Sequence, residues 1–169
     1  MKVIFTIVFC FVQVCAFGQQ KKIDYYPNGT KKAEGWMEND RSNGPWKFFH
    51  ANGKIESEGM LVEGWQHGPW KFFYSDGQLQ ADGVYHLGHE EGYWVYYFDN
   101  GQKSAEGAYL NGVKEGKWTQ WYENGYKENE GELVHGIKQG KWTYWEPVGR
   151  KDIDHYYVDG RLVRTFWGK

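Results

Sequence analysis

The feature that most constrains the fold of this chain is an Asx-Gly pair that recurs every 24 residues. The pairs occupy residues 28–29, 52–53, 76–77, 100–101 and 124–125, and Val148-Gly149 keeps the spacing without the Asx. A fixed period of this length is typical of repeat proteins, in which each unit completes its hydrophobic core against its neighbours. The sequence therefore predicts a repeat architecture, although repeat scaffolds serve many functions.

Further residue types keep the same period. A Gly-x-Trp motif places Trp46, Trp70, Trp94, Trp118 and Trp142, and a second aromatic residue follows each tryptophan by three positions, at Phe49, Phe73, Tyr97, Trp121 and Trp145. An acidic residue precedes a glycine at Gly35, Gly59, Gly83, Gly107 and Gly131. Because these rows share one spacing, we interpret them as structural positions of one repeated unit.

The order of turns and aromatic segments predicts β-structure. An Asx-Gly pair between apolar segments is a strong hairpin signal, since these residues tolerate positive φ. The ring-rich segments before each pair, such as residues 46–49, favour strands, and a second glycine-bounded turn, such as residues 64–68, closes the unit. We predict an all-β fold: an elongated, single-sheet antiparallel meander of about eleven strands, two per repeat, on the order of 50 Å long.

The glycine within the second strand of each unit needs a physical reason, because glycine weakens a strand unless another group approaches closely. An indole from the adjacent strand can lie over such bare backbone. We therefore expect Trp46, Trp70, Trp94, Trp118 and Trp142 to form a row over the five strand glycines.

The N-terminal segment has the pattern of an export signal. Lys2 precedes an apolar stretch from Val3 to Val14, and the small residues Ala16 and Gly18 stand at −3 and −1 of a cut before Gln19. The stretch is shorter than the ~20 residues of a spanning helix, and lipid attachment at Cys15 is an alternative. We expect residues 1–18 to be a signal peptide, residues 24–163 the repeat domain and residues 164–169 a tail, in a protein of the periplasm, cell envelope or extracellular space.

Both cysteines, Cys10 and Cys15, lie within the predicted signal peptide and would be removed with it. The mature chain would hold neither a disulfide nor a thiolate. Its stability would come from packing and from the hydrogen bonds of the sheet.

Composition and motif spacing argue against several functions. A formal net charge of −2 gives no basic excess for nucleic acid. The six histidines fall at different places in the repeat, whereas a metal site needs converging ligands. The acids before the strand glycines recur in each unit, whereas a catalytic carboxylate pair is singular, so we expect them to accept backbone or lysine hydrogen bonds. We predict neither a cofactor nor enzymatic activity.

The aromatic rows have two interpretations, a core or a ligand surface. Because side chains alternate along a strand, the two aromatics of each unit can lie on different faces of the sheet. A single sheet leaves one face uncovered, and large exposed aromatic patches mark interfaces. We therefore name Phe49, Phe73, Tyr97, Trp121 and Trp145 as a candidate binding surface.

The repeat also resembles a known family. The segment from Glu106 to Trp118 is similar to a MORN repeat in its bacterial variant form, and the likeness extends over residues 24–161. The resemblance implies a ribbon-like antiparallel sheet that serves as an interaction module. Some bacterial members carry an antitoxin-family label, and eukaryotic members are associated with membranes, phosphoinositides or scaffold dimers. The lack of a basic face argues against anionic membrane binding, and the export signal argues against a cytoplasmic antitoxin role.

Three hypotheses follow. The first is an exported, non-enzymatic module that binds a protein partner or acts as a scaffold, with antitoxin-like partner binding as a variant. The second is a ribbon that binds carbohydrate or envelope glycan through its aromatic rows. The third is a hydrolase.

Overall fold

A computed structural model describes residues 18–167. Residues 1–17 of the predicted signal peptide and residues 168–169 of the predicted tail lie outside the described residues. The strands are β1 Gln20–Tyr25, β2 Lys31–Glu38, β3 Arg41–Ser42, β4 Gly44–Phe49, β5 Ile55–Val62, β6 Trp65–Phe73, β7 Leu79–His86, β8 His89–Tyr97, β9 Lys103–Leu110, β10 Val113–Trp121, β11 Lys127–Val134, β12 Ile137–Trp145, β13 Lys151–Val158 and β14 Arg161–Trp167.

These strands form one antiparallel sheet in which each pairs with its sequence neighbours, and the short β3 pairs with β2 beside the main path. The predicted all-β meander is confirmed, but the sheet has 14 strands where about eleven were expected. The difference arises mainly at the ends, because β1 and β14 lack the Gly-x-Trp motif. Both predicted domain limits cut through these strands: the sheet begins at Gln20, and residues 164–167, predicted as tail, form part of β14.

The two turns of each repeat use different backbone conformations. In the Asx-Gly turn only the glycine has positive φ, as at Gly29, and the Oδ1 of Asn28 accepts the amide of Thr30 at 3.0 Å. The Asx itself does not have positive φ, and its side chain caps the turn instead. Apart from Asn39 and Asp40, the non-glycine residues with positive φ stand in the other turn, each before a glycine, at Glu63, Leu87, Asn111, His135 and Asp159.

Hydrogen bonds at both rims of the sheet link consecutive repeats. The side-chain amide of Asn52 donates to the carbonyl of Ser75 at 2.7 Å. At the other rim the backbone amide of Gly64 donates to the carbonyl of Ser42 at 2.8 Å. The repeats are thus joined at their turns as well as through the strand ladder.

The structure places each tryptophan of the Gly-x-Trp motif over a strand glycine. A Cβ built on Gly107 would come within 2.6 Å of Cγ of Trp118, and the indole Nε1 donates to the carbonyl of Ala108 at 3.0 Å. Between the pairs Glu115–Ala108 and Thr119–Glu106, β10 has three residues opposite one residue of β9. The indole N–H therefore donates to a backbone carbonyl beside this bulge.

All five tryptophans of the motif repeat this geometry and are only 2–5% exposed. We call the side of the sheet that carries them the Trp face. Seven rings stack along it with centroid separations of 5.9–6.4 Å, in the order Trp46, Phe48, Trp70, Phe72, Trp94, Tyr96 and Trp118. His155 stands at the next glycine position, opposite Trp142 in the register, and Phe166 of β14 stands where the next tryptophan of the motif would fall.

Candidate binding surface

The other side of the sheet carries the acidic residues that precede the strand glycines, and we call it the acid face. Side chains alternate along a strand, so Glu34 and Trp36 point away from the indole that covers Gly35. The same reasoning places Glu58 and Met60 on this face. Lysines pair with most of the acids, as in Lys47–Glu58 at 2.9 Å and Lys127–Glu130 at 2.7 Å. The acids thus accept lysine hydrogen bonds, in agreement with the structural role expected for them.

The strongest of these pairs shift the pKa of the acid. Burial alone would raise the pKa of Asp154, but hydrogen bonds from Lys151, Thr143 and Lys141 outweigh it and hold the pKa below its usual value. Glu130 has the same balance, with Lys127 and Lys117 as donors and a lowered pKa. These carboxylates are ionised and engaged near neutral pH, and they are poorly suited to general acid catalysis.

The predicted aromatic row is less accessible than expected. Phe49 is buried, and Phe73, Tyr97, Trp121 and Trp145 are half-buried. Lysine ammonium groups also lie over three of the rings: Lys31 over Phe49 at 5.2 Å, Lys103 over Trp121 at 5.8 Å and Lys127 over Trp145 at 5.5 Å. Much of this row is therefore engaged within the chain.

A different row on the acid face, which was not predicted from the sequence, exposes more apolar surface. It runs across the strands through Trp36, Pro45, Met60, Pro69, Val84 and Tyr93. Trp36 is 37%, Met60 41%, Val84 40% and Tyr93 57% exposed. We call these six residues the apolar row.

The same row becomes polar further along the sheet. Its next members are Ala108, Lys117, Glu132 and Lys141. Lys117 faces Glu132 in the register, as Pro45 faces Met60. The scaffold therefore accepts charged residues at these positions, and the apolar character of the N-terminal half is not required by the fold.

A groove of about 490 Å³ lies within the apolar row. The backbone of Gly35 and Gly59 lines it, together with Trp36, Pro45, Met60 and Pro69. Lys47 and Glu58, which form an ion pair, also line it, as does Lys71. The groove therefore combines apolar walls with a few charged side chains.

The Trp face has smaller grooves. Grooves of about 460 and 370 Å³ lie beside Trp70 and beside Trp94. Their walls include Phe48, Leu61 and Tyr85, which also pack against the buried core. A ligand there would contact the side chains that stabilise the sheet.

Neither face shows a metal centre in the part of the chain that the structure describes, where no three His, Cys, Asp or Glu side chains converge. His67 and His86 lie 5.4 Å apart as a pair of rings without a third ligand among residues 18–167. The same residues include no helix long and apolar enough to span a bilayer.

Comparison with known proteins agrees with this repeat geometry. The family model described as MORN repeat variant matches residues 42–62 and 66–86, which are two adjacent units of the sheet. The sequence matches none of the curated proteins compared with it. The matched segments hold Pro45, Met60, Pro69 and Val84 of the apolar row. The resemblance expected from the sequence is confirmed: the chain carries MORN repeats of the variant form, matched at residues 42–62 and 66–86.

Proposed function

We propose that this chain is an exported, non-enzymatic repeat module that binds a protein partner through the apolar row of its acid face. The observation that supports it is the exposure of Trp36, Met60, Val84 and Tyr93 in one row. Contiguous exposed apolar surface bordered by polar residues marks interaction sites. The charged counterparts at Lys117 and Glu132 indicate that folding alone does not require apolar residues here.

The chemistry of the groove favours a protein over a carbohydrate. Proline, methionine and tryptophan line it, and such surfaces suit apolar side chains of a partner. A sugar needs several hydrogen-bonding groups, but Lys47 and Glu58, two of the charged residues that line the groove, already pair with each other at 2.9 Å. Glycan binding remains an outcome that the experiment below distinguishes.

The export part of the proposal is supported by the N-terminal sequence, with Lys2, the apolar stretch and Ala16-Phe17-Gly18. The expected mature N-terminus is Gln19. Mass spectrometry of the protein from a fractionated host should find this terminus outside the cytoplasm. An intact Met1 in the cytoplasmic fraction would contradict export.

The binding proposal can be tested by giving the apolar row the residues of its own charged half. The double variant Pro45→Lys/Met60→Glu copies the facing pair Lys117–Glu132, so we expect it to fold. Random peptides displayed on phage would be selected against the full chain. Selected peptides should bind the double variant at least about tenfold more weakly, since apolar contact in the groove is lost.

Lys117→Gln is the matched control, because it changes the same row outside the apolar half and should leave binding unchanged. Circular dichroism and thermal unfolding would show that both variants fold. Equal peptide binding by the double variant and the parent chain would contradict the proposed surface. Binding of envelope glycans on an array, without any peptide selected, would support the carbohydrate hypothesis instead.

A further inference from the structure

The acid face repeats a small cation site built from the chain's own residues. In three repeats a lysine bonds to the acid three residues later and also lies over an aromatic ring of the adjacent strand. The three sites are Lys31–Glu34 at 3.0 Å with Phe49, Lys103–Glu106 at 2.8 Å with Trp121, and Lys127–Glu130 at 2.7 Å with Trp145. A carboxylate beside a ring face is a favourable arrangement for an ammonium group.

One repeat has the acid and the ring but lacks the lysine. Asp82 takes the place of the glutamate and Tyr97 that of the ring, while Leu79 occupies the lysine position. In the preceding repeat Ile55 also replaces the lysine, but Lys47 pairs with Glu58 from the adjacent strand. In this repeat Lys71 is the counterpart of Lys47 and lies opposite Asp82 in the register.

One carboxylate oxygen of Asp82 lacks a hydrogen-bond partner in the described part of the chain. Its Oδ1 is buried and accepts no hydrogen bond from residues 18–167. Lys71 lies opposite Asp82 in the register but forms no ion pair with it among these residues. Lys103 is bonded to Glu106 and lies over Trp121. Burial, followed by the negative charge of Asp82, raises the pKa of the Tyr97 hydroxyl.

We propose that Asp82 and Tyr97 bind a lysine or arginine side chain of the protein partner. The inference rests on the proposed function and names the chemistry that this part of the surface recognises. The partner's cation takes the place that the chain's own lysine takes in the other repeats. Its alkyl stem lies along Leu79, as lysine stems do on apolar surface.

The position of the site fits a peptide that also contacts the apolar row. Asp82 is two residues from Val84 on β7, and Lys71 is two residues from Pro69 on β6, so both rows continue on the acid face. A partner segment with a basic residue beside apolar residues can therefore contact both. A carboxylate oxygen buried without a hydrogen-bond partner is unfavourable, and an incoming cation relieves that cost.

The decisive variant restores the missing lysine within the chain. Leu79→Lys supplies a cation at the position of Lys31, Lys103 and Lys127, so it should neutralise Asp82 and displace the partner's cation. Peptides selected from a random display library against the full chain should be enriched in lysine or arginine. They should bind Leu79→Lys and Asp82→Asn at least about tenfold more weakly, the loss expected for a desolvated charge pair.

Ile55→Lys provides the matched control. It makes the same type of change one repeat earlier, beside Glu58, which Lys47 already pairs, and peptide binding should stay within about twofold of the parent chain. Replacing the selected peptide's lysine or arginine with norleucine, which keeps a stem but removes the charge, should cause the same loss as Asp82→Asn.

The outcomes separate this inference from the proposed function. Peptides that lose binding with Pro45→Lys/Met60→Glu but not with Leu79→Lys would overturn the cation site and leave the proposed function standing. Peptides that respond to Leu79→Lys but not to the double variant would support the cation site and contradict the apolar row. Recovery of no binding peptide would contradict both.

Discussion

The contact between indole and glycine makes a sharp prediction for Gly83→Ala. A Cβ on Gly83 would lie 2.6 Å from Cγ of Trp94 and closer still to Cδ2 and Cε2 of the ring. Gly83 does not have positive φ, so the backbone itself accepts alanine. The ring has little room to move, because Phe72, Tyr85 and Tyr96 pack around it.

The expected cost combines two effects. Forcing a methyl group into a packed contact costs about 1–3 kcal/mol. Displacing the ring also weakens the hydrogen bond from its Nε1 to the carbonyl of Val84, now 3.2 Å long, which contributes about 0.5–1.5 kcal/mol. We therefore expect Gly83→Ala to lower the free energy of unfolding by about 2–4 kcal/mol.

Urea unfolding followed by circular dichroism would measure this loss. Gly92→Ala is the comparison, because a Cβ there meets open space at φ 67° and should cost only the ~1–2 kcal/mol of a left-handed backbone. In the Trp94→Leu background, Gly83→Ala should cost much less, since the smaller side chain removes the clash. An equal cost of Gly83→Ala in both backgrounds would refute the proposed contact.

Other positions give further predictions. Leu87 has φ 47° where the next repeat has Asn111, so Leu87→Asn should raise the urea midpoint through a gain of about 1 kcal/mol. The lowered pKa of Asp154 gives stability that is present above its unfolded pKa of about 4 and is lost as pH falls through the folded pKa. Asp154→Asn should therefore flatten the fall in the urea midpoint below about pH 4. Burial, and after it the charge of Glu90, raises the pKa of Tyr85 to about 12. The free energy of unfolding should therefore fall above about pH 10, the unfolded pKa, and should fall less in Tyr85→Phe. A midpoint unchanged by Leu87→Asn, or pH profiles identical to the parent chain, would contradict these reasons.

Most of the fold could be predicted because each repeat contains the residues that determine its turns and its strand packing. The fixed spacing of turn residues specifies hairpins in sequence, and a strand glycine with an aromatic partner indicates close packing. The ends were harder to predict, since β1 and β14 pair with the sheet through backbone hydrogen bonds and lack the motif. The Asx-Gly pair predicts a turn but not its conformation, because an asparagine side chain can cap a turn without positive φ.

The binding surface was harder to predict than the fold. Conspicuous periodic rings drew attention to Phe49 and Trp121, but the lysines that cover them come from neighbouring strands. The apolar row lies at positions that vary between repeats, such as the middle residue of Gly-Pro-Trp and Gly-Lys-Trp. The change from apolar to charged residues is visible in the sequence. That these positions form one row follows only from the register, which brings Pro45 opposite Met60.

The central claim is that the acid face, and not the Trp face, binds the partner, and two methionines report on the two faces. Met60 is 41% exposed in the apolar row, whereas Met37 packs against the core of the Trp face. Carbon-13 labelling of the methionine methyl groups, assigned with Met37→Leu, would follow both sites by NMR as a selected peptide is added. We predict that the Met60 resonance moves while that of Met37 stays in place. Movement of Met37 with an unchanged Met60 would contradict the account.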